Sequence, residues 1–282
     1  MRWTTQALSE RGVDSARLDA ELLLGAVIGQ DRLAMFMDYD RPASEPERER
    51  YRAMVRRRLS GECVAYILGN RDFYGRSFAV GPGALVPRPE TEQLCDLTLE
   101  VMPQIQARAH EPWRLLDVGT GSGCLGLTLA LERPSWQVEM WEISEGARAW
   151  AERNCAAFAQ LLGGRAQLLA CDAMQALPVQ RPHLVVSNPP YLTDAEMASA
   201  SPEVQHEPRT ALVGGGVDGL DWYRRFIPRL PQIVAPGGWF GCEIGVAQGP
   251  AVVQLLRAAG ASDAQIRPDF TGRDRFVTAW FV

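Results

Sequence analysis

Residues 113–281 alternate between strand-like and helix-like segments, and this alternation constrains the fold more than any other feature of the sequence. Apolar runs of strand length occur at 113–118, 137–141, 166–170, 183–187 and 239–244, and two more strand-like runs close the chain, the last at 276–281. Helical patterns separate them, beginning near residue 123 and covering 145–159, 221–234 and 247–259. Strands that alternate with helices form a mostly parallel sheet covered on both faces. The sequence therefore predicts an α/β fold.

The N-terminal part of the chain contains only helical patterns. Ser15 precedes one helix, which is predicted to end near Gly29. Ser44 begins a capping box, Ser-Glu-Pro-Glu, that opens a second helix running to about Leu59. We interpret the arginines of this second helix as a solvated face rather than a binding surface.

The hydrophobic pattern changes after residue 73. Residues 73–87 read as a hairpin broken by glycine and proline, and a helix is predicted over 91–108. We therefore divide the chain into a helical domain at 1–75, a hairpin linker at 76–90 and an α/β domain at 91–282.

The charge composition excludes several classes of chemistry. The net charge is −5, and all 29 basic residues are arginine. A chain without lysine has no P-loop lysine, no Schiff base and no lysine general base. Its mildly acidic balance is also unlike that of proteins that hold long tracts of phosphate backbone.

The cysteines and the N-terminus indicate the compartment. Cysteines at positions 63, 95, 124, 155, 171 and 242 form no CxxC pair and match no zinc spacing, so we interpret them as buried free thiols. Free thiols suit a reducing compartment. No signal-peptide core begins the chain, and no segment is long and apolar enough to span a bilayer. The sequence predicts a cytoplasmic protein without a metal site.

A glycine-rich loop follows the strand at 113–118 and opens the next helix. Its residues are Asp117, Val118, Gly119, Thr120, Gly121, Ser122 and Gly123. Glycines let a ligand approach the backbone, and a helix N-terminus offers free N–H groups. Glu142 ends the next strand, where a carboxylate can accept both ribose hydroxyls of a nucleotide. The loop and this acid together predict a nucleotide site.

Two classes of nucleotide fit this loop. The spacing from Gly121 to Gly126 matches the dinucleotide pattern GxGxxG, but it begins too late, because the first glycine should close the strand at Gly119. Read from Gly119, the third glycine position holds Cys124. An aspartate at the strand end followed by GxGxG suits S-adenosylmethionine, which has no pyrophosphate to hold. The loop alone does not decide between them.

Asn188, Pro189, Pro190 and Tyr191 follow the fourth predicted strand, at the same sheet edge as the glycine loop. A planar amide nitrogen is a poor nucleophile because its lone pair is delocalised. Two acceptors that hold both N–H bonds would direct that lone pair at a methyl carbon. Asn188 offers a side-chain oxygen, and Pro189 offers a carbonyl whose direction the paired prolines restrict. Tyr191 offers a π face to a cationic sulfonium or a flat substrate. The motif predicts methyl transfer to a planar nitrogen.

The chain resembles the release-factor glutamine methyltransferases, the HemK or PrmC family, over nearly its whole length. Asn-Pro-Pro-Tyr alone is shared with DNA adenine methyltransferases, whereas Pro-Arg-Pro-Glu-Thr-Glu is the more specific segment. The latter also differs from the related enzymes that methylate a ribosomal protein. The segments that carry the resemblance are 66–69, 73–75, 85–92, 116–123, 142–144 with Asn154, 188–191, 207–208, 211–212, 214–215 and 218–220.

The resemblance implies a Rossmann-like, seven-stranded sheet whose last strand is antiparallel. Residues 91–282 would be the S-adenosylmethionine-dependent methyltransferase domain, and residues 1–75 would dock a protein substrate. The substrate implied is the glutamine in the Gly-Gly-Gln loop of a class I peptide chain release factor. Residues 188–191 would hold that glutamine as the catalytic residues.

The resemblance also implies a cofactor site for S-adenosylmethionine, with S-adenosylhomocysteine as the product. This chain departs from the family twice, since Glu142 stands where many members have aspartate, and Ala173 stands where some carry an aromatic beside the adenine. The cofactor-binding residues expected are Asp117, Gly119, Thr120, Gly121, Ser122, Gly123, Glu142, Asp172, Ala173 and Asn188.

Three rival interpretations remain. A nucleic-acid amino-methyltransferase could use the same motif on an exocyclic base nitrogen, but it would need base flipping and a basic groove. A nicotinamide-dependent oxidoreductase would need a hydride-site group, and His110, His183 and His206 form no evident constellation. A binding module that has lost catalysis would not need the full set of motifs. We expect a monomer with no nucleic-acid or membrane partner.

Overall fold

The structure is a computed structural model that describes residues 1–38, 40–110 and 112–282. The strands are β1 Asn70–Phe73, β2 Arg76–Ala79, β3 Trp113–Val118, β4 Trp136–Glu142, β5 Ala166–Ala170, β6 Leu184–Ser187, β7 Trp239–Glu243, β8 Ala261–Pro268 and β9 Asp274–Phe281. The helices are α1 Arg2–Glu10, α2 Ala16–Ile28, α3 Arg32–Met37, α4 Glu45–Leu59, α5 Val64–Leu68, α6 Pro89–Glu100, α7 Met102–Arg108, α8 Cys124–Glu132, α9 Glu145–Ala157, α10 Ala159–Leu162, α11 Asp194–Ser199, α12 Pro202–Gln205, α13 Arg209–Leu212, α14 Asp221–Phe226, α15 Leu230–Ile233 and α16 Gly249–Ala258.

These elements cluster into two compact units. The first contains Met1–Asn70 with Ser201–His206, and the second contains Arg71–Ala200 with Glu207–Val282. The division therefore falls at residue 70, before the segment 76–90 that the sequence indicates as a linker. The hairpin of β1 and β2 turns through Tyr74 and Gly75, whose φ angles of 51° and 71° suit a two-residue turn.

The first unit consists of helices. Helix α4 begins with the predicted capping box, in which Ser44 N donates to Glu47 Oε2 at 2.7 Å and Glu47 N donates to Ser44 Oγ at 3.4 Å. Helix α2 ends at Gly29 in the left-handed conformation, as predicted. Ser15 precedes α2, but its hydroxyl donates to the Asp19 carboxylate instead of accepting a backbone N–H, because its backbone is not extended.

A seven-stranded sheet forms the centre of the second unit, with the strand order β5-β4-β3-β6-β7-β9-β8. Neighbouring strands from β5 to β7 pair in parallel, whereas β9 pairs antiparallel with β7 and β8. This confirms the predicted α/β class and the antiparallel last strand. Side chains alternate between the faces, so Leu115 joins one apolar core cluster while Leu116 joins the other.

Two helices predicted as continuous are broken at prolines. The segment 91–108 divides into α6 and α7 at Val101, two residues before Pro103. The segment 221–234 divides into α14, a 3₁₀ turn at Ile227–Arg229 and α15, with Pro228 and Pro231 near the breaks. Proline lacks the backbone N–H and its ring collides with the preceding turn, so it ends or reshapes a helix.

The order of the strands places a crevice beside β3. The chain moves from β3 outward to β4 and β5, then crosses back to β6 on the other side of β3. Ligands of open α/β sheets bind at the carboxyl ends of the strands where the order reverses in this way. The glycine loop follows β3 and Asn188 follows β6, so both lie at this edge.

Candidate active site

A cavity of about 360 Å³ lies at this edge of the sheet. Of the residues predicted from the sequence as site residues, Gly123 and Tyr191 lie outside its lining. The predicted residues that line it are Asp117, Gly119, Thr120, Gly121, Ser122, Glu142, Asp172, Ala173, Asn188, Pro189 and Pro190.

The glycine loop adopts a conformation that favours glycine. Gly119 and Gly121 have φ angles of 69° and 60°, and a Cβ at either position would meet no other atom within 4 Å. The N–H groups of Gly119 and Thr120 donate to the Trp141 carbonyl at 2.9 and 3.1 Å, which ties the loop to the end of β4. The loop therefore presents bare backbone to the cavity, so a ligand can approach it closely.

Asp117 holds this loop in place. Its Oδ2 accepts from Thr120 Oγ1 at 2.5 Å and from Gly126 N at 2.9 Å. Burial raises the pKa of the Asp117 carboxyl from its ordinary value of 3.8 to about 7, although both hydrogen bonds act in the opposite direction. The carboxylate predicted as a cofactor contact therefore also organises the loop around the cavity.

Glu142 is oriented by two backbone amides. Gly121 N donates to Oε2 at 2.9 Å, and Ser144 N donates to Oε1 at 2.8 Å. Burial raises the pKa of this carboxyl, and the same two amides lower it. A carboxylate with both oxygens held in place is a ready acceptor for hydroxyl groups of a ligand, since each oxygen keeps a free lone pair.

Asp172 and Ala173 follow β5 and line the cavity beside Trp222. The Asp172 carboxylate accepts from Met174 N at 2.8 Å and from Gln175 Nε2 at 2.9 Å, so it stabilises its own turn. Trp222 is half-buried in α14. Sequence analysis missed this tryptophan, because nothing in its local pattern connects it with the end of β5.

Asn188 places an unpaired acceptor at the cavity. Its Nδ2 donates to Thr91 Oγ1 at 3.0 Å. Its Oδ1 is buried, and no donor among the residues that the structure describes reaches it. Buried polar atoms are nearly always hydrogen-bonded, so this oxygen points to a ligand with an N–H or O–H group.

Gly123 and Tyr191 differ from the other predicted residues in position. Gly123 is the N-cap residue of α8 and has a φ of 84°. An added Cβ would lie 3.0 Å from a Leu127 methyl group, so only glycine fits without strain where the chain enters the helix. The Tyr191 hydroxyl donates to Glu243 Oε1 at 3.0 Å. Tyr191 lies outside the cavity lining, and the π face that the sequence predicts for its ring stays a prediction.

Sequence analysis also missed Glu243, which ends β7 and is buried. Its Oε2 accepts from Thr91 Oγ1 at 2.9 Å, while its Oε1 accepts from Tyr191. A detectable signal was present, because an acidic residue at the end of an apolar strand run is costly unless it is paired. That strand ends at the same sheet edge as β3 and β6.

Neither a metal-type cluster nor a membrane-spanning helix occurs among the residues that the structure describes. No group of three or more histidine, cysteine or acidic residues there converges as a metal site would. None of the helices described is long and apolar enough to cross a membrane.

Two protein-family models match this chain. A model of the PrmC N-terminal domain matches residues 1–69, and a model of the methyltransferase small domain matches residues 95–217.

Relatives with assigned names match over nearly the whole length. The release factor glutamine methyltransferase of Geobacter sulfurreducens is 40% identical over 98% of this chain and 93% of its own. Its counterpart in Chlorobaculum tepidum is 38% identical over 98% of this chain and 94% of its own. The protein of the same name in Bacillus subtilis is 35% identical over 99% of this chain and 96% of its own.

Solved structures share the fold at much lower identity. The catalytic domain of hMettl16, in complex with a MAT2A 3'UTR hairpin, is 19% identical with a TM-score of 0.58, covering 84% of this chain and 82% of that one. A methyltransferase from Pyrococcus furiosus is 14% identical with a TM-score of 0.51, covering 80% of this chain and 96% of that one. These likenesses show the methyltransferase fold alone.

Proposed function

The chain belongs to the release factor glutamine methyltransferase family, and we propose that it methylates the glutamine side-chain amide in the Gly-Gly-Gln loop of a class I peptide chain release factor. The methyl donor is S-adenosylmethionine. The observation that carries the proposal is the buried Oδ1 of Asn188, which accepts from no donor among the described residues and lies at the same cavity as the bare glycine loop.

The residues around the glycine loop fit S-adenosylmethionine. Gly119 and Gly121 leave open space where any side chain would project, and Glu142 holds a fixed carboxylate for the ribose hydroxyls. Asp172, Ala173 and Trp222 also line the cavity, and we place the adenine beside them. Bound there, the cofactor supplies an electrophilic methyl group whose C–S bond breaks, with its electron pair staying on sulfur, as a C–N bond forms.

Asn188 makes the acceptor nitrogen reactive. Its Oδ1 accepts one N–H of the glutamine amide, which turns the nitrogen lone pair out of conjugation and toward the methyl carbon. The same oxygen stabilises the positive charge that develops on nitrogen during transfer. One amide proton is then lost to solvent, which leaves a neutral N-methyl amide. Pro189 supplies the second acceptor through its carbonyl, whose direction is restricted by the fixed φ angles of the paired prolines.

The substrate protein follows from the family and from the two compact units. We assign docking of the release factor to the helical first unit, and cofactor binding and transfer to the second. The protein acts as a cytoplasmic monomer on this substrate. The alternative, an exocyclic amino group of a nucleic-acid base, is not favoured, because the relatives that share nearly the whole chain are named for glutamine.

A transfer assay tests this proposal directly. Purified protein is incubated with methyl-labelled S-adenosylmethionine and either a release factor, the same factor with its loop Gln→Ala, or RNA and DNA. We expect label on the unaltered release factor only, at the loop glutamine by peptide mass spectrometry. Label on nucleic acid with none on the release factor would overturn the proposal.

A further inference from the structure

A buried chain of hydrogen bonds lies behind Asn188. Asn188 Nδ2 donates to Thr91 Oγ1 at 3.0 Å, and that hydroxyl donates to Glu243 Oε2 at 2.9 Å. The other carboxylate oxygen of Glu243 accepts from the Tyr191 hydroxyl at 3.0 Å. One carboxylate is therefore connected to both ends of the Asn-Pro-Pro-Tyr motif.

Three separate elements hold this network. Thr91 lies in the first turn of α6, Asn188 follows β6, and Glu243 ends β7. Strands β6 and β7 pair in parallel up to Ser187, so the next residue of each strand lies at the same edge. Thr91 and Glu243 are each 2% exposed, which leaves the network little access to water.

A cationic side chain lies close to the network. Arg275, on β9, donates from Nη1 to the Tyr191 hydroxyl at 3.4 Å. Burial raises the pKa of the Glu243 carboxyl, whereas the hydrogen bonds from Thr91 and Tyr191 and then the charge of Arg275 lower it. The Tyr191 hydroxyl, which receives from Arg275, must give its own proton to Glu243.

The directions of these hydrogen bonds follow from the number of protons. Both oxygens of the Glu243 carboxylate accept, Oε1 from Tyr191 and Oε2 from Thr91, so the single hydroxyl proton of Thr91 is committed to Glu243. The Thr91 oxygen can then only accept, and of the two ends of the Asn188 carboxamide only Nδ2 can donate to it. Turning the carboxamide over would bring two acceptors together. Its oxygen is therefore forced to the opposite side.

We propose that Thr91 and Glu243 are positioning residues that fix the carboxamide of Asn188 with Oδ1 toward the cavity. This inference rests on the proposed function, in which that oxygen accepts an N–H of the substrate glutamine. The acceptor is thus oriented before the substrate arrives, and no rotation of the carboxamide is needed at the moment of transfer.

Three threonine variants separate orientation from general stability. Thr91→Val keeps the shape of the side chain but removes the hydroxyl, whereas Thr91→Ser keeps the hydroxyl. Thr98→Val is the matched control, because Thr98 is a buried threonine of the same helix whose hydroxyl donates to the Leu94 carbonyl outside the network. Circular dichroism and thermal melting establish that each variant is folded.

The first readout is hydrogen exchange of the Asn188 side-chain amide, measured by NMR on protein labelled with nitrogen-15 asparagine. The chain has only three asparagines, and Asn188→Asp identifies the signal of interest. We expect Thr91→Val to speed exchange of this amide by at least about tenfold, because it loses its buried acceptor. Thr91→Ser and Thr98→Val should leave it protected, and Asn154, bonded to the carbonyls of Ala79 and Ser122, serves as an internal reference.

The second readout is the single-turnover rate of methyl transfer to the release factor, with cofactor affinity measured beside it. We expect Thr91→Val to slow transfer by about 10- to 100-fold while the cofactor Kd changes by less than about threefold. Thr91→Ser should recover most of the rate. Glu243→Gln should slow transfer as well. Its amide N–H can donate to Thr91, so the Thr91 hydroxyl can donate to Asn188 instead, and the Asn188 carboxamide can then turn over with Oδ1 toward Thr91.

The outcomes separate this inference from the proposed function. Unchanged amide exchange in Thr91→Val contradicts the orientation of Asn188 by Thr91, whatever the substrate is. Faster exchange with a transfer rate like that of the Thr98→Val control contradicts a positioning role in the reaction. Absence of transfer by the unaltered protein contradicts the proposed function, while the exchange experiment still decides the orientation.

Discussion

Glu142 is a buried carboxylate whose unfavourable desolvation is offset by two backbone amides. Its carboxylate is 7% exposed, and burial of such a charge is unfavourable. The amides of Gly121 and Ser144 offset that cost by donating to its two oxygens. The glutamate side chain is long enough to reach both amides at once.

We expect Glu142→Ala to weaken S-adenosylmethionine binding and to leave the fold intact. Losing a charged acceptor for two hydroxyls should cost about 1.5–3 kcal/mol, or about one to two decades in Kd. Calorimetry measures the affinity, and Glu145→Ala removes the same charge from an exposed position outside the cavity lining. An unchanged Kd in Glu142→Ala would show that this acid does not hold the ribose.

Asp117 gives a prediction for pH. Its folded-state pKa of about 7 exceeds its ordinary value of 3.8. Between these two pH values the carboxyl is protonated in the folded protein and ionised in the unfolded chain. The protonated carboxyl therefore makes its largest contribution to the free energy of unfolding below about pH 4, and this contribution is lost as the pH rises through about 7.

The matched variant for this effect is Asp117→Asn, which cannot ionise. The free energy of unfolding of the unaltered protein, relative to this variant, should fall by about 3 kcal/mol between about pH 5 and about pH 8. Denaturant titrations across this range measure the difference. A difference independent of pH would mean that Asp117 is ionised throughout.

At the scale of elements, the loop between β3 and α8 has to be bare. We expect Gly121→Asp to abolish S-adenosylmethionine binding, because the new side chain projects into the cavity and sets a carboxylate beside Glu142. Gly121→Ala tests the backbone separately, since the φ of 60° strains either variant by about 1–2 kcal/mol. Retention of near-normal affinity by Gly121→Asp would contradict the placement of the cofactor.

The sequence predicts these elements well where the signal is local. The strand β3, the loop after it and the capping box of α4 all follow from short patterns of apolar residues, glycines and caps. The breaks at Pro103 and Pro228 have a local signal as well, because proline removes a backbone N–H and crowds the preceding turn, and the prediction of two continuous helices did not include it.

The remaining features depend on contacts that no local pattern records. Thr91 and Glu243 lie 152 residues apart and meet only because α6 and β7 converge at one edge of the sheet. Trp222 lines the same cavity as Ala173 although it belongs to α14, 49 residues further along the chain, so no local pattern connects the two. The position of Tyr191 likewise depends on a carboxylate that the motif does not contain.

At the scale of the whole molecule, the two compact units suggest a division of labour. We expect a protein lacking residues 1–69 to bind S-adenosylmethionine normally and to lose transfer to the intact release factor. The cut is placed before β1 because Phe73 belongs to the apolar core of the second unit. Calorimetry and the transfer assay are the measurements. Transfer at the full rate by the shortened protein would remove the docking role from the first unit.

Methyl transfer in the proposed mechanism depends on Asn188 Oδ1 as the acceptor that orients the glutamine amide. The direct measurement is single-turnover methyl transfer to the release factor by Asn188→Ala and Asn188→Asp, with cofactor Kd measured in parallel. We predict that Asn188→Ala slows transfer by about 10²- to 10³-fold, with a smaller change in Kd. The transfer rate of Asn188→Asp should lie between the rates of Asn188→Ala and the unaltered protein. Its carboxylate can accept the N–H, but it also stabilises the cationic sulfonium before transfer, and this stabilisation weakens as the methyl group leaves. Transfer by Asn188→Ala at the unaltered rate would contradict this mechanism.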